Sequence, residues 1–153
     1  MAADSTLDLV FVWHMHQPDY RDHGSRTHPG EYLLPWVYLH AMKDYVDMAA
    51  HLERHPRMRA VVNFVPVLVE QIQDYAEQLR SGQLRDPMLR LLVKPDYQTL
   101  SADERRLLLD SCFRSNHATM VEPYPPYKRL HDLYQHLQSQ DAATLDYLGG
   151  AYF

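Results

Sequence analysis

The sequence predicts an α/β fold built around a parallel sheet, and three observations support this. Two short segments, Leu7–Trp13 and Arg59–Val65, are rich in β-branched and aromatic residues, as strands are. Apolar residues recur at helical spacing after each of them. The order strand, long loop, helix, strand, helix is typical of βαβ units. At 153 residues, the chain has the length of about one domain on the rough guide of ~150 residues.

The first predicted strand, Leu7–Trp13, is almost continuously apolar. Such a run suits an interior parallel strand that is buried on both faces. The polar segment from His14 to Pro35 follows it and is interrupted by several prolines and glycines, so we expect a long loop there. Loops of this length in compact domains are commonly functional.

The next predicted elements are a helix, a second buried strand and a second helix. The first helix should begin at Pro35–Trp36, because proline is favoured in a first turn. It should end before Pro56, because the residue that precedes a proline is steered away from helical geometry. Arg59–Val65 is the strand, and Val67–Leu79 has helical spacing that ends near Gly82.

The second half of the chain predicts helices only. Ser101 and Glu104 match a capping box at the start of one of them. Helical spacing occurs in Asp86–Val93, Ser101–Phe113 and Pro126–Leu137. No third strand is indicated, so we expect βα units over about residues 7–82, followed by a helical insertion over about residues 86–148.

Composition excludes several classes of protein. Fifteen Lys and Arg against twenty Asp and Glu give a net charge of −5, so the chain has no positive field for nucleic acid or anionic lipid. No apolar stretch approaches the ~18 residues of a membrane span, and no secretory signal is indicated. Cys112 is the only cysteine, which excludes an intrachain disulfide and favours a cytoplasmic location. The oligomeric state is not indicated.

The segment His14-Met-His16-Gln17-Pro18 is the first candidate site, because ligands bind at the carboxyl ends of parallel strands. Two histidines at i and i+2 on extended backbone project to the same side. They suit metal ligands, as in hydrolases with a His-x-His motif. They equally suit hydrogen-bond partners of substrate hydroxyls, beside Gln17, or turn residues bonded to the backbone. Spacing alone does not choose among these three.

Other candidates are weaker. Trp36, near several tyrosines, could stack on a sugar ring or on any other apolar face of a ligand. Glu122 lies in a proline-rich loop that is more typical of a connector, Asn63 could bond a ligand or the backbone, and Cys112 is typical of a buried apolar residue. No Gly-rich phosphate loop, Gly-x-Ser-x-Gly, His-Glu-x-x-His or Cys-x-x-Cys motif occurs.

Several segments together resemble the N-terminal part of glycoside hydrolase family 57, which includes α-amylase-like enzymes, amylopullulanases, 4-α-glucanotransferases and branching enzymes. The most specific is the His-x-His-Gln-Pro motif after an apolar strand. The segments are Val10–Pro18, Tyr32–His40, Ala60–Pro66, Ser111–His117 and Pro123–Tyr127.

The resemblance implies a TIM-barrel-like fold, an incomplete (β/α)7 barrel, of which this chain would hold about two parallel strands and a helical insertion. It implies a retaining mechanism with a Glu nucleophile and an Asp acid/base. No metal or other cofactor is expected. The expected substrate is an α-glucan or maltooligosaccharide, and the implied substrate-binding residues are His14, His16, Gln17 and Trp36.

Neither catalytic carboxylate motif of the family is found in this chain, and Glu122 does not replace one. We therefore assign no catalytic residue. A barrel of this kind needs on the order of 250 residues, so we expect residues 1–153 to be the first part of a larger catalytic domain, inactive alone. Two alternatives remain at this point: a metal-dependent hydrolase that uses His14 and His16 as ligands, and a non-catalytic carbohydrate-binding module.

Overall fold

A computed structural model of the chain describes residues 7, 9–24, 26–27, 30–140, 145, 148 and 152. It divides into two units, Met1–Asp86 and Pro87–Phe153. The first unit contains β1 (Phe11–Met15), α1 (Trp36–Met42), α2 (Asp44–Arg54), β2 (Ala60–Phe64) and α3 (Pro66–Ser81). The second contains α4 (Pro87–Leu92), a 3-10 turn (Tyr97–Thr99), α5 (Ala102–Cys112), α6 (His117–Met120) and α7 (Pro125–Gln140).

The two strands pair in parallel, as the βαβ pattern predicts. Phe11 lies opposite Ala60, and the register continues to Met15 opposite Phe64. The chain crosses from β1 to β2 through α1 and α2. The α/β class with two parallel strands is therefore confirmed.

The first strand begins later than the sequence predicts. The sequence predicts a strand over Leu7–Trp13, whereas β1 covers Phe11–Met15 and includes His14. A strand extends only where a partner strand offers hydrogen bonds, and Ala60–Phe64 supplies five partner positions. Apolar periodicity cannot show where that partner begins.

The expectation that both strands are buried is wrong for this chain. Met15 is buried, but Val12 is 63% exposed and Val61 is 53% exposed. The strands hydrogen-bond to one another, and among the described residues no further strand joins the sheet. Apolar residues show that a strand can be buried on both faces, but burial requires other elements to pack on those faces. Part of the apolar surface of both strands is exposed here.

The helix predicted from Trp36 to Pro56 is two helices in the structure. Lys43 breaks it, with φ −121° and ψ −72°. Val37 is the buried residue of α1, whereas α2 has no buried residue. Asp44 and Asp47 lie in the first turn of α2, where negative charge is favoured by the helix dipole. Different burial of the two halves is consistent with two separate helices.

Helix α3 carries the core of the first unit. It ends at Gly82, with φ 72°, as the sequence predicts, and it begins at Pro66, one residue before the predicted Val67. The four buried residues follow three- and four-residue steps that place them on one face: Leu68, Gln71, Tyr75 and Gln78. Two of these four are glutamines, so this face is apolar only in part.

The second unit is helical, as predicted. The capping box of Ser101 and Glu104 is formed at the start of α5. The 3-10 turn and α6 were not predicted, because elements this short have no periodicity; side chains of Asp96 and Asn116 cap them. One core cluster consists of Leu109, Phe113, Tyr134, Leu145 and Leu148, and another of Leu91, Leu100 and Leu108.

We predict a large difference between core and strand substitutions. Leu68→Ala should lower the free energy of unfolding by about 2–5 kcal/mol, because Leu68 is fully buried. Val61→Ala should lower it by less than about 1 kcal/mol, because the side chain is mostly in solvent. Urea unfolding of both variants measures this. Equal losses would show that the sheet face is covered in solution.

Candidate functional site

Two histidines lie together at the carboxyl end of β1. His14 is the fourth residue of the strand and His16 follows it directly. Their rings are nearly parallel, at 18°, with centroids 5.9 Å apart, and both side chains are exposed. They therefore project to the same side, as the i, i+2 spacing predicts.

Asn63 on β2 holds one of these rings. It lies opposite His14 in the register, and its Oδ1 is 2.9 Å from His14 Nδ1. An amide oxygen can only accept a hydrogen bond, so His14 donates from Nδ1. In the neutral ring Nε2 is then left as an acceptor. From the sequence alone, the partner of Asn63 is predicted to be a ligand or the backbone. The register that joins Asn63 to His14 is visible only in the structure.

Gln17 is half-buried and already bonded within the protein. Its Oε1 accepts a hydrogen bond from the Tyr20 hydroxyl at 2.9 Å. Tyr45 on α2 is close enough to the Gln17 side chain to be influenced by it. Burial raises the pKa of Tyr45, and Gln17 acts in the opposite direction. The Tyr20 hydroxyl therefore fixes the orientation of the Gln17 amide through its oxygen.

Trp36 opens α1 and belongs to a second aromatic group. Its half-buried ring lies 6.3 Å from that of His40, tilted by 35°. The Nδ1 atom of His40 contacts the Asp44 carboxylate, and this hydrogen bond lowers the pKa of Asp44. The structure thus pairs Trp36 with His40, whereas His14 and His16 pair with one another. Sequence reasoning did not single out His40 or Asp44.

An open cavity of about 370 Å³ lies at the end of β2. Its lining is mostly apolar and consists of Ala41, Tyr45, Phe64, Val69, Ile72 and Gln73. None of the predicted substrate-binding residues is in that lining. Tyr45 is the link between the cavity and Gln17.

The loop after the histidines is ordered by its own charges. Asp19 accepts two hydrogen bonds from the Arg21 guanidinium, at 2.8 and 2.7 Å, and one contact from His23. The Arg21 bond holds the pKa of Asp19 well below its usual range. Arg21 also pairs with Tyr32 in an antiparallel bridge, which folds the loop back on itself.

Tyr32 ties the far end of this loop to α3. The residue is 2% exposed, its hydroxyl donates to Asp74 at 2.9 Å, and its ring lies 4.2 Å from that of Tyr75. Burial raises the pKa of Tyr32 to about 12, partly offset by the charge of Arg21. Asp74 also binds the Arg85 guanidinium.

Two further candidates belong to the second unit. Glu122 is exposed in the turn before α7, with its backbone N–H bonded to His117. Cys112 is half-buried and burial raises the pKa of its thiol, which suits the apolar role. Within the described ranges, no three His, Cys, Asp or Glu side chains come together as a metal site would require.

One family model matches the chain. It is described as glycosyl hydrolase family 57, and the match covers residues 10–143, which include the paired histidines, Asn63 and all of α1 to α7. No curated protein and no solved structure matches the chain. In the part of the chain that the structure describes, none of the helices is both long enough and apolar enough to cross a bilayer.

We predict that Asn63 selects the tautomer of His14. In Asn63→Leu the oxygen that accepts from Nδ1 is lost, so the population of the Nε2–H tautomer should rise. Long-range ¹H–¹⁵N NMR spectra of the imidazoles measure this directly. The exposed ring of His51 on α2 is the internal control and should not change. An unchanged His14 spectrum would mean that the hydrogen bond is not formed in solution.

We predict that Tyr32 makes stability fall at high pH. The side chain stays protonated to about pH 12 when folded, whereas an unfolded tyrosine ionises near pH 10. Stability from this group is therefore present below about pH 10 and is lost as the pH rises to about 12. Urea unfolding over this range should show a shallower decline for Tyr32→Phe than for wild type. Tyr124→Phe, at an exposed side chain, should decline as wild type does.

Proposed function

The chain belongs to glycosyl hydrolase family 57, and on that premise we propose that it forms the glucosyl-binding part of an α-glucan-active glycosidase or transglycosidase. Family membership itself indicates glycosidase or transglycosidase chemistry and a carbohydrate substrate. The α-glucan, the binding residues and the division of labour with catalytic carboxylates are our proposal.

The observation that supports it most is the histidine pair at the carboxyl end of β1. Both rings are exposed on one side of the strand, 5.9 Å apart. With Asn63 on Nδ1, neutral His14 offers Nε2 as an acceptor, and His16 offers a second imidazole beside it. Adjacent hydroxyls of one glucosyl unit are suitable partners for two such groups. The Gln17 NH2 adds a donor at the same strand end.

Trp36 provides the aromatic surface in this proposal. An exposed part of an indole face can pack against the apolar face of a sugar ring. Contact with His40 supports the ring from one side, and the pair of His40 with Asp44 holds that support in place. In this proposal Trp36 supplies a stacking surface for a sugar unit of the bound chain.

The exposed sheet supports a larger barrel. Val12 and Val61 present apolar side chains to solvent, and both strands have an open edge among the described residues. In an incomplete (β/α)7 barrel, further strands and helices would cover those surfaces. We propose that residues 1–153 are the N-terminal part of that domain, with βα units over about residues 7–82 and a helical region over about residues 86–148.

The catalytic carboxylates are proposed to lie on other strands of that barrel. Retaining glycosidases use two carboxyl groups about 5–5.5 Å apart. The strand ends described here carry histidines and Asn63 instead. In this proposal the chain binds and orients a glucosyl unit, and the nucleophile and acid/base are supplied by other parts of the domain.

We predict that the chain binds maltopentaose through His16. His16→Ala should weaken the affinity by about five- to tenfold, the effect of losing roughly one hydrogen bond to a ligand. Isothermal titration or an NMR titration measures the dissociation constant. His51→Ala, which removes an exposed histidine from α2, is the matched control and should bind as wild type does.

Two outcomes would contradict the proposal. Equal affinity of wild type and His16→Ala would remove the histidine pair from the binding site. Release of reducing sugar from amylose by the purified chain would show that catalytic carboxylates lie within it, and so would overturn the proposed division of labour.

A further inference from the structure

We propose that Gln71 is a positioning residue for the proposed sugar site, acting from α3 on the loop that carries His16 and Gln17. The inference rests on the proposed function, because the geometry it protects is that of the histidine pair. Gln71 is fully buried, whereas His14 and His16 are exposed. It therefore acts on the site through the loop and not by contact with a ligand.

Both ends of the Gln71 amide bind the loop. Its Nε2 donates to the Pro18 carbonyl at 2.9 Å, and its Oε1 accepts from the Tyr20 backbone N–H at 3.0 Å. The same Nε2 also donates to the Val67 carbonyl, one turn earlier in α3, at 3.1 Å. All of the polar atoms of this buried side chain are thus in use, as burial demands.

Only a side chain with a donor and an acceptor on one planar group satisfies this arrangement. The Pro18 carbonyl needs a donor, and the Tyr20 N–H needs an acceptor. An apolar side chain of similar size would leave both backbone groups without their partner. A carboxylate would serve Tyr20 but repel the carbonyl of Pro18.

The connection from Gln71 to the site is short. Pro18 follows Gln17 directly, and Gln17 follows His16, so the first fixed carbonyl lies two residues after the second histidine. Tyr20 is held at its backbone by Gln71, and its hydroxyl in turn holds the Gln17 amide. One buried glutamine therefore fixes both the path of the chain after His16 and, through Tyr20, the orientation of Gln17.

The other contacts between the loop and this part of α3 are weaker constraints. Arg21 reaches Glu70 at 3.4 Å, but Glu70 is exposed, and exposed ion pairs contribute little. Tyr32 bonds to Asp74 at the far end of the loop, fifteen residues after Gln17. Gln71 is thus the buried contact nearest to the site.

Gln78 provides a matched comparison on the same helix. It is also a buried glutamine, 2% exposed, but it bonds to the Arg85 backbone N–H and to Asp74 rather than to Pro18 or Tyr20. Gln71→Met and Gln78→Met remove the same groups from equally buried positions. Both variants should lower the melting temperature by a few degrees. Only Gln71→Met should weaken maltopentaose binding, by about tenfold.

Gln71→Glu adds a pH readout that loss of stability alone would not produce. The introduced carboxyl accepts from Tyr20 in either state, but it can donate to Pro18 only when it is protonated. Burial raises the pKa of such a carboxyl. Affinity relative to wild type should be low at about pH 7.5 and recover towards about pH 5. At each pH, the affinity of Gln71→Glu is divided by that of wild type. This ratio cancels any pH effect of the histidines and of Asp19, Glu70 and Asp74, because both proteins contain these groups.

The free chain separates this inference from the proposed function. In Gln71→Met, the Gln17 side-chain NH2 signals should shift and the Tyr20 amide should exchange faster with solvent, whereas Gln78→Met should leave both unchanged. If wild type fails to bind maltopentaose, the proposed function fails, but these signals still test the positioning role. Unchanged signals in Gln71→Met, equal loss of affinity in the two methionine variants, or a flat pH ratio for Gln71→Glu would each overturn the inference.

Discussion

Parallel pairing of β1 with β2 is the interaction on which the first unit depends. Five residues on each strand set the register. This register places His14 opposite Asn63 near the carboxyl ends of the strands, where ligands bind in parallel sheets. A shift by one residue would turn His14 and His16 to the other face together. The geometry of the site therefore depends on the pairing of two strands whose partner residues are 49 positions apart in the sequence.

Helix α3 is the second element on which the site depends. Its buried Gln71 binds the loop that follows the two histidines. The buried face would be an ordinary apolar stripe if Gln71 and Gln78 were leucines. As glutamines, they bind backbone groups of segments that carry no regular structure of their own, near Pro18 and Arg85. A long loop can be ordered in this way without a strand or helix, because a buried amide satisfies backbone groups that have no other partner in regular structure. Gln71 binds the Pro18 carbonyl and the Tyr20 N–H, and Gln78 binds the Arg85 N–H.

The elements were largely predictable because their signals are local. Helix starts and stops, such as the glycine that ends α3 and the capping box of Ser101, depend on residues within one turn. The shared side of the paired histidines was predictable for the same reason, since residues i and i+2 point to the same face of any strand. The contacts of Gln71 and Asp74 with the loop could not be predicted, because their partners are distant in sequence. Two glutamines on the buried face of α3, at core spacing, are nevertheless a recognisable signal of buried polar residues.

By itself, the sequence determined the α/β class, the order of the two strands and the longer helices, the family and the shared side of the strand that both histidines occupy. Tertiary structure alone decided that Asn63 meets His14, that Gln17 is held by Tyr20, and that Trp36 lies against His40. It also decided that the apolar strands are exposed in this chain. Periodicity and caps act between neighbours in sequence, whereas pairing register, burial and long-range hydrogen bonds depend on which distant segments the fold brings together.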